Sequence, residues 1–233
     1  FAERPRTPQN TFGYVRMEVL SALTNAVVLL LLTVYILYEA YQRFLNPPEI
    51  IGGPMLAVAV IGLIVNLISM KLLSAGSAES LNVKGAYFEV LSDMLGSLGV
   101  IVAAAVVVLT GWQLVDPIIG AGIGLFIVPR TWILLKQAVH ILMEGTPPEI
   151  DMTLLERKLS ELPEVIAVHD LHVWTITSGA DAMSCHLIIT DMSLAPATLT
   201  AAQAAMKTDF NLSHVTIQIE TDSLWKAESK QRY

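Results

Sequence analysis

Residues 82–110 read NVKGAYFEVLSDMLGSLGVIVAAAVVVLT. From Tyr87 to Thr110 the run is apolar over a length that suits a bilayer, because about 20 helical residues at about 1.5 Å each cross roughly 30 Å of hydrocarbon. Two carboxylates interrupt it. Glu89 and Asp93 stand four apart and therefore share one face of a helix. With Val83 as the membrane entry they lie about 9 Å and about 15 Å deep, the second close to the midplane. An aspartate at a helix centre costs roughly 2.5–3.5 kcal/mol to insert, so such groups face a polar cavity and serve an ion or proton pathway. A divalent cation neutralises both groups, and so do protons. Metal ligands must be deprotonated, so metal and proton compete for the same oxygens, which is a physical basis for exchange. The competing reading is a structural pair bonded to neighbouring helices.

Three further segments have the length and apolarity of spans: Met17 to Gln42, Ile51 to Leu73 and Gln113 to Lys136. Turn chemistry separates the four, in Asn46-Pro47-Pro48, Gly52-Gly53-Pro54, Ser74-Ala75-Gly76-Ser77 and Asp116-Pro117. Arg4, Arg6 and Arg16, then Lys71 and Lys84, then Arg130 and Lys136 fall on one side, whereas the alternate loops hold Arg43 with Glu49, and Asp116. The positive-inside rule puts both termini in the cytoplasm. Asn25, Asn66 and Ser69 read as interhelical hydrogen-bond formers, and Gly96 and Gly99 as packing positions. Glu18 beside Arg16 reads as an interfacial ion pair, and His140 as a surface or linker histidine.

The chain has 233 residues, 54% hydrophobic and 15% charged, with the apolar excess confined to the first part. From about Thr146 the polarity is that of a small globular domain. The expected divisions are a loop over 1–16, a transmembrane domain over 17–145, a cytoplasmic domain over 146–222 and a tail over 223–233. Asp151 to Leu162 has helical spacing, stopped by Pro163. Val165 to Thr177 and Ala182 to Thr190 read as strands joined by a turn at Ser178-Gly179-Ala180-Asp181, Pro196 to Phe210 as a helix and His214 to Glu220 as a half-buried strand. The order αββαβ predicts a small α+β, ferredoxin-like layer. With that four-residue turn, Val173 sits opposite His186. His169 and His186 then share one face several residues apart along the hairpin, and His172 takes the other face.

A net charge of −7 without a concentrated basic run excludes a nucleic-acid footprint. The single cysteine, Cys185, forms no intrachain disulfide and reads as a buried thiol in a reducing compartment. The chain contains no G-x4-G-K-[ST], H-E-x-x-H or G-x-S-x-G motif, so nothing supports an ATP-driven pump or an intramembrane hydrolase. It opens on Phe1, and Phe1 to Asn10 lacks the features of a signal peptide, which reads as a trimmed or partial product.

Four stretches in order resemble the cation diffusion facilitator family: Thr11-Phe12-Gly13-Tyr14-Val15-Arg16-Met17-Glu18, Asn82 through Ser97, Asp116-Pro117-Ile118-Ile119-Gly120, and Val168-His169-Asp170-Leu171-His172-Val173-Trp174. The resemblance implies a homodimer of six-helix protomers, with this chain matching from the loop before the third helix onward. It implies secondary-active efflux of divalent transition metals, zinc with cobalt, cadmium or nickel, from the cytoplasm in exchange for protons. No enzymatic activity is expected. The metal is the transported substrate, and the setting a bacterial inner membrane.

The family's tetrahedral transport site takes one His-x3-Asp or Asp-x3-Asp pair from each of two helices, and the pair on the fifth helix falls on Glu89 and Asp93. Zinc-selective members resemble one another in having histidine where this chain has Glu89. A carboxylate there makes the site harder and predicts relaxed zinc selectivity. In the cytoplasmic domain the resemblance places metal ligands at His169, His186 and Glu220, with Gln218 where a further ligand is expected. The alternative function is a non-transporting dimeric scaffold or metal sensor.

Overall fold

The computed structural model describes residues 5–46, 52–78 and 80–228, and the chain divides into two compact units at residues 139/140. The first holds α1 (Arg16–Leu45), α2 (Gly52–Ser74), a short 3-10 turn at Gly76–Ala78, α3 (Leu81–Thr110) and most of α4 (Val115–Leu142). α1, α3 and α4 are long and apolar enough to cross a membrane, and Ala59–Ser74 within α2 is a shorter apolar helix. Large apolar side chains point outward along them, among them Leu31, Val34, Val108 and Leu109. Such a surface suits lipid and is disfavoured in water.

Where helices meet, small residues set the approach. A Cβ on Gly99 of α3 would lie 2.7 Å from Ile119 Cγ2 of α4, and one on Gly124 of α4 would lie 2.9 Å from Leu37 Cδ2 of α1. Close packing of this kind takes the place of the hydrophobic drive that lipid removes.

Two helix boundaries differ from expectation. α3 starts at Leu81, not Tyr87, because the Ser80 hydroxyl caps it by accepting from the Val83 N–H at 3.4 Å. α4 continues to Leu142, beyond Lys136. Glu18 accepts a hydrogen bond from Ser80 Oγ at 2.5 Å, which ties the start of α1 to the start of α3. Glu49, counted with Arg43 among the charges of the loop after the first span, lies outside the described residues. Arg43 bonds Glu39 and Asp116.

The second unit comprises α5 (Met152–Ser160), β1 (Val165–Thr177), β2 (Ala180–Ile189), a 3-10 turn (Met192–Leu194), α6 (Ala195–Phe210), β3 (His214–Glu220) and α7 (Asp222–Glu228). Asp151 caps α5 by accepting from the N–H groups of Thr153 and Leu154. The sheet order is β1-β2-β3, with β1 antiparallel and β3 parallel to β2, so α6 forms the crossover between parallel neighbours. Leu155 and Leu159 of α5, Ala202 and Met206 of α6, and Val173, Met183, Cys185 and Leu187 of the sheet form the core. Apolar side chains alternate toward these helices and polar ones toward the opposite face.

The hairpin register departs from expectation. Thr177 pairs with Ala180, so the turn is the two residues Ser178-Gly179, with Gly179 at φ 73°. Val173 lies opposite Met183, not His186. Three bulges then put an extra residue on β1, between Val165 and Ala167, His169 and His172, and Thr175 and Thr177. The two nearer the turn bring His169 directly opposite His186. They also turn His172 onto the face of its partner Ser184, two residues from His186 and thus on the same side.

Candidate functional site

In the helical unit a cavity of ≈ 650 Å³ opens between α1, α3 and α4, with Asn66 of α2 on its wall. Glu89, Ser92 and Asp93 line it from α3. The two carboxylates are exposed to the cavity and, among the described residues, neither is hydrogen-bonded or ion-paired. Ser92 spends its hydroxyl on the Phe88 carbonyl at 2.7 Å and leaves the carboxylates alone. Glu39 and Arg43 of α1 and Asp116 of α4 belong to the same wall. Arg43 donates through Nε to Glu39 Oε1 and through Nη1 to Asp116 Oδ2, both at 3.0 Å. The Glu39–Arg43 half of this bridge has the four-residue spacing that favours helical ion pairs. The Asp116 half joins residues far apart in sequence, which only the packing of α1 on α4 brings together.

In the second unit the polar face of the sheet gathers His169 (β1), His186 (β2) and Glu220 (the last residue of β3). One potential ligand atom from each lies within 4.8 Å of the other two. Glu220 is wholly buried (0% exposed). Its carboxylate has His169 Nε2 at 3.2 Å, His186 Nδ1 at 2.7 Å and the Gln218 amide, which donates to Oε1, at 2.8 Å. The His186 contact is close but out of line for a hydrogen bond, and both Nδ1 atoms are buried without a hydrogen-bond partner among the described residues. Buried ring nitrogens in that condition are costly unless something takes their lone pair or proton.

The imidazoles stand edge to face, with centroids 4.9 Å apart. Donors at about 2.0–2.2 Å from a tetrahedral zinc require only a modest contraction of this triangle, and three protein donors leave a fourth position open. Asp170, at φ 53° in the bulge, points its carboxylate at His172 (3.4 Å) and His186 (3.8 Å) from outside the triangle. From α7 the Trp225 ring lies 6.2 Å from that of His169. Beside His186 on β2, Cys185 faces the opposite way into the core, and burial pushes its thiol up to about 12. His140 does not join this cluster; its Nε2 meets the Thr146 carbonyl oxygen at 2.8 Å.

Residues 1–143 match the family description "Cation efflux transmembrane domain", and residues 147–222 match "Cation efflux protein, cytoplasmic domain". The chain belongs to the cation efflux family. It is 45% identical over 234 aligned residues to the metal cation efflux system protein CzcD of Cupriavidus metallidurans, covering all of this chain and 74% of that protein. It is 38% identical to the cadmium, cobalt and zinc/H(+)-K(+) antiporter of Bacillus subtilis, over 95% of this chain and 73% of that one. The zinc transporter ZitB of Escherichia coli is 39% identical, with coverages of 94% and 71%. A solved structure of the metal-bound C-terminal domain of the CzcD transporter covers 30% of this chain and 99% of its own, at 32% identity and a TM-score of 0.28. As a cation efflux protein, the chain is an integral membrane transporter with a cytoplasmic C-terminal domain, and its chemistry is transport rather than catalysis.

Sequence reasoning singled out Glu89 and Asp93, which the structure places on one cavity wall, and His169, His186 and Glu220, which it gathers on one face of the sheet. It missed the Glu39–Arg43–Asp116 bridge, for which the Glu39/Arg43 spacing was the available signal, and it missed Asp170, whose place depends on the bulge.

Proposed function

We propose that this transporter exports a divalent transition-metal cation in exchange for protons, with Glu89 and Asp93 as the groups that carry first one and then the other. The observation that carries this reading is a pair of unneutralised carboxylates, one helical turn apart, on the wall of a cavity between apolar helices. Two bare carboxylates in lipid are expensive, and binding a divalent cation or protons removes the cost by alternative routes. Protonation from the far side expels the metal. Deprotonation on the cytoplasmic side restores the ligands.

Zinc is the first candidate substrate, with cobalt, cadmium and nickel beside it, in keeping with the names of the relatives. Oxygen donors at Glu89 favour this breadth, since a carboxylate is harder than an imidazole. In this reading α2 is a fourth span, the protomer follows the family's six-helix plan, and the N-terminal end is cytoplasmic in a bacterial inner membrane. The divisions are 1–16, 17–145, 146–222 and 223–233, and the αββαβ domain is ferredoxin-like and dimerises. His169, His186 and Glu220 bind a metal ion there, supported by their mutual proximity and by two buried ring nitrogens that lack a hydrogen-bond partner among the described residues.

The test reconstitutes the longest natural form in proteoliposomes and follows zinc, cadmium and cobalt flux under an imposed pH gradient, with and without Asp93→Ala. Loss of pH-driven flux in a folded variant is the expected result. Undiminished flux places the pathway elsewhere, and a parent without flux favours the scaffold or sensor function.

A further inference from the structure

The cavity is polar at both ends. The cytoplasmic domain follows α4 in the chain, so a membrane-crossing α4 begins on the non-cytoplasmic side, with Asp116 in its first turn. Arg43 bonds Asp116 there, which places the last turns of α1 at the same end. α3 leaves its loop on the cytoplasmic side and carries Glu89 and Asp93 in its first half. Along α1 the cavity wall runs from Leu29 to Arg43, about 21 Å at 1.5 Å per residue.

Among the described residues five charged side chains line this space, and Arg43 is the single positive one. Glu39 holds the guanidinium through Nε from one turn below on the same helix, so Nη1 is already aimed at Asp116 before the helices meet. Beneath the bridge, α1 and α4 touch through small residues: a Cβ on Gly120 would sit 3.8 Å from Ala40 Cβ, and Gly124 is backed by Leu37 and Thr33. An Arg–carboxylate bridge is directional and is lost at a definite separation. Closed, it ties α1 to α4 across the route a cation takes from Asp93 to the far side and occupies the Asp116 carboxylate. Open, it frees Asp116 as an acceptor beside that route.

We propose that the Glu39–Arg43–Asp116 bridge is a latch that shuts the cavity at the end formed by the last turns of α1 and the first turn of α4, with Arg43 as its positioning residue, and that the bridge must part for the transported cation to leave. The latch rests on the transport reading for the direction of ion movement. Its geometry does not.

The experiment introduces Ile36→Cys, on the cavity wall of α1, into the full protein in native membranes. The labelling rate is measured with a membrane-impermeant maleimide applied from the non-cytoplasmic face, and the protein without the added cysteine supplies the background. Arg43→Gln and, independently, Asp116→Asn are expected to raise the rate at least about fivefold, the lower end of ordinary coupling between two states. The charge-exchanged double variant Arg43→Asp/Asp116→Arg is expected to return it toward the parent value, which a role confined to folding would not do.

Rates within twofold of the parent in both single variants overturn the latch, as does a double variant that labels as fast as they do. Metal flux is followed in the same membranes. Latch-dependent labelling with flux insensitive to Asp93→Ala sinks the carboxylate reading and leaves the latch standing, and the converse result sinks the latch alone.

Discussion

Glu220→Gln isolates one donor of the cytoplasmic triangle with almost no change of shape. Glu220 is fully buried, lies close to both histidines and ends the strand that α6 lays beside β2. An amide oxygen is a poor metal ligand, so the variant leaves two donors where three stood. Partners that only support a ligand change affinity about 10–100-fold, and a direct ligand belongs at or above the top of that range. At a free zinc concentration near 100 times the dissociation constant, binding stabilises the parent domain by about 2.7 kcal/mol. A hundredfold weaker site retains about 0.4 kcal/mol at the same concentration. For a domain of this size 1 kcal/mol moves the midpoint by about 4–8 °C, so the zinc-dependent shift falls from about 11–22 °C to about 2–3 °C.

The protein supplies its own probe, because its single cysteine is buried in the core of this unit. A thermal ramp with a thiol-reactive dye, with chelator or with zinc, therefore reports the opening of the cytoplasmic domain and nothing else. A full zinc shift in Glu220→Gln, or no zinc shift in the parent, refutes the assignment of these three side chains to a metal.

Glu89→His is expected to narrow transport toward zinc, with cobalt and cadmium flux falling relative to zinc in the proteoliposome assay; an unchanged ratio contradicts the argument from ligand hardness. Gly99→Val drives a branched side chain against Ile119 and Ile123 and is expected to destabilise the helical unit by about 1–3 kcal/mol, read as a lower unfolding temperature in detergent and partly relieved by Ile119→Ala. For Cys185, burial raises the thiol from the ordinary value of 9.0 to about 12. Below pH 9 the thiol is protonated in both states and costs nothing. Above it only the unfolded chain ionises, so stability of the cytoplasmic domain declines from about pH 9 toward 12. Replacing Cys185 by Ala flattens that limb, and an unflattened profile assigns the alkaline loss to other groups.

What could be read in advance follows the range of the interactions. Glu89 and Asp93 are neighbours through helical geometry alone, so their shared face was legible without knowledge of the packing. The alternation in β3 likewise announced Glu220 as one of a polar row, although not that Glu220 alone would be fully buried. The hairpin failed at a specific point. A four-residue turn and a two-residue turn share the letters Ser178-Gly179-Ala180-Asp181, and only the two-residue form brings His169 toward His186. The bulge at Asp170 then needs a positive φ, which aspartate tolerates more readily than most residues but does not demand. Arg43 was legible as a partner for Glu39, and its bond to Asp116 was not, because that contact is a product of how α1 meets α4.

β1 is an edge of its sheet, and three extra residues interrupt it. An unbroken edge strand offers a ladder of unpaired amides and carbonyls on which another copy can add a strand, the usual beginning of fibrous aggregation. Each bulge throws the hydrogen-bonding groups out of phase, so no run on β1 is long enough to accept a straight strand in register. The irregularities that gather the histidines therefore also deny this edge to strand addition. Copies of the domain that come together along this edge do so through side-chain surfaces, where shape and charge can select the right partner.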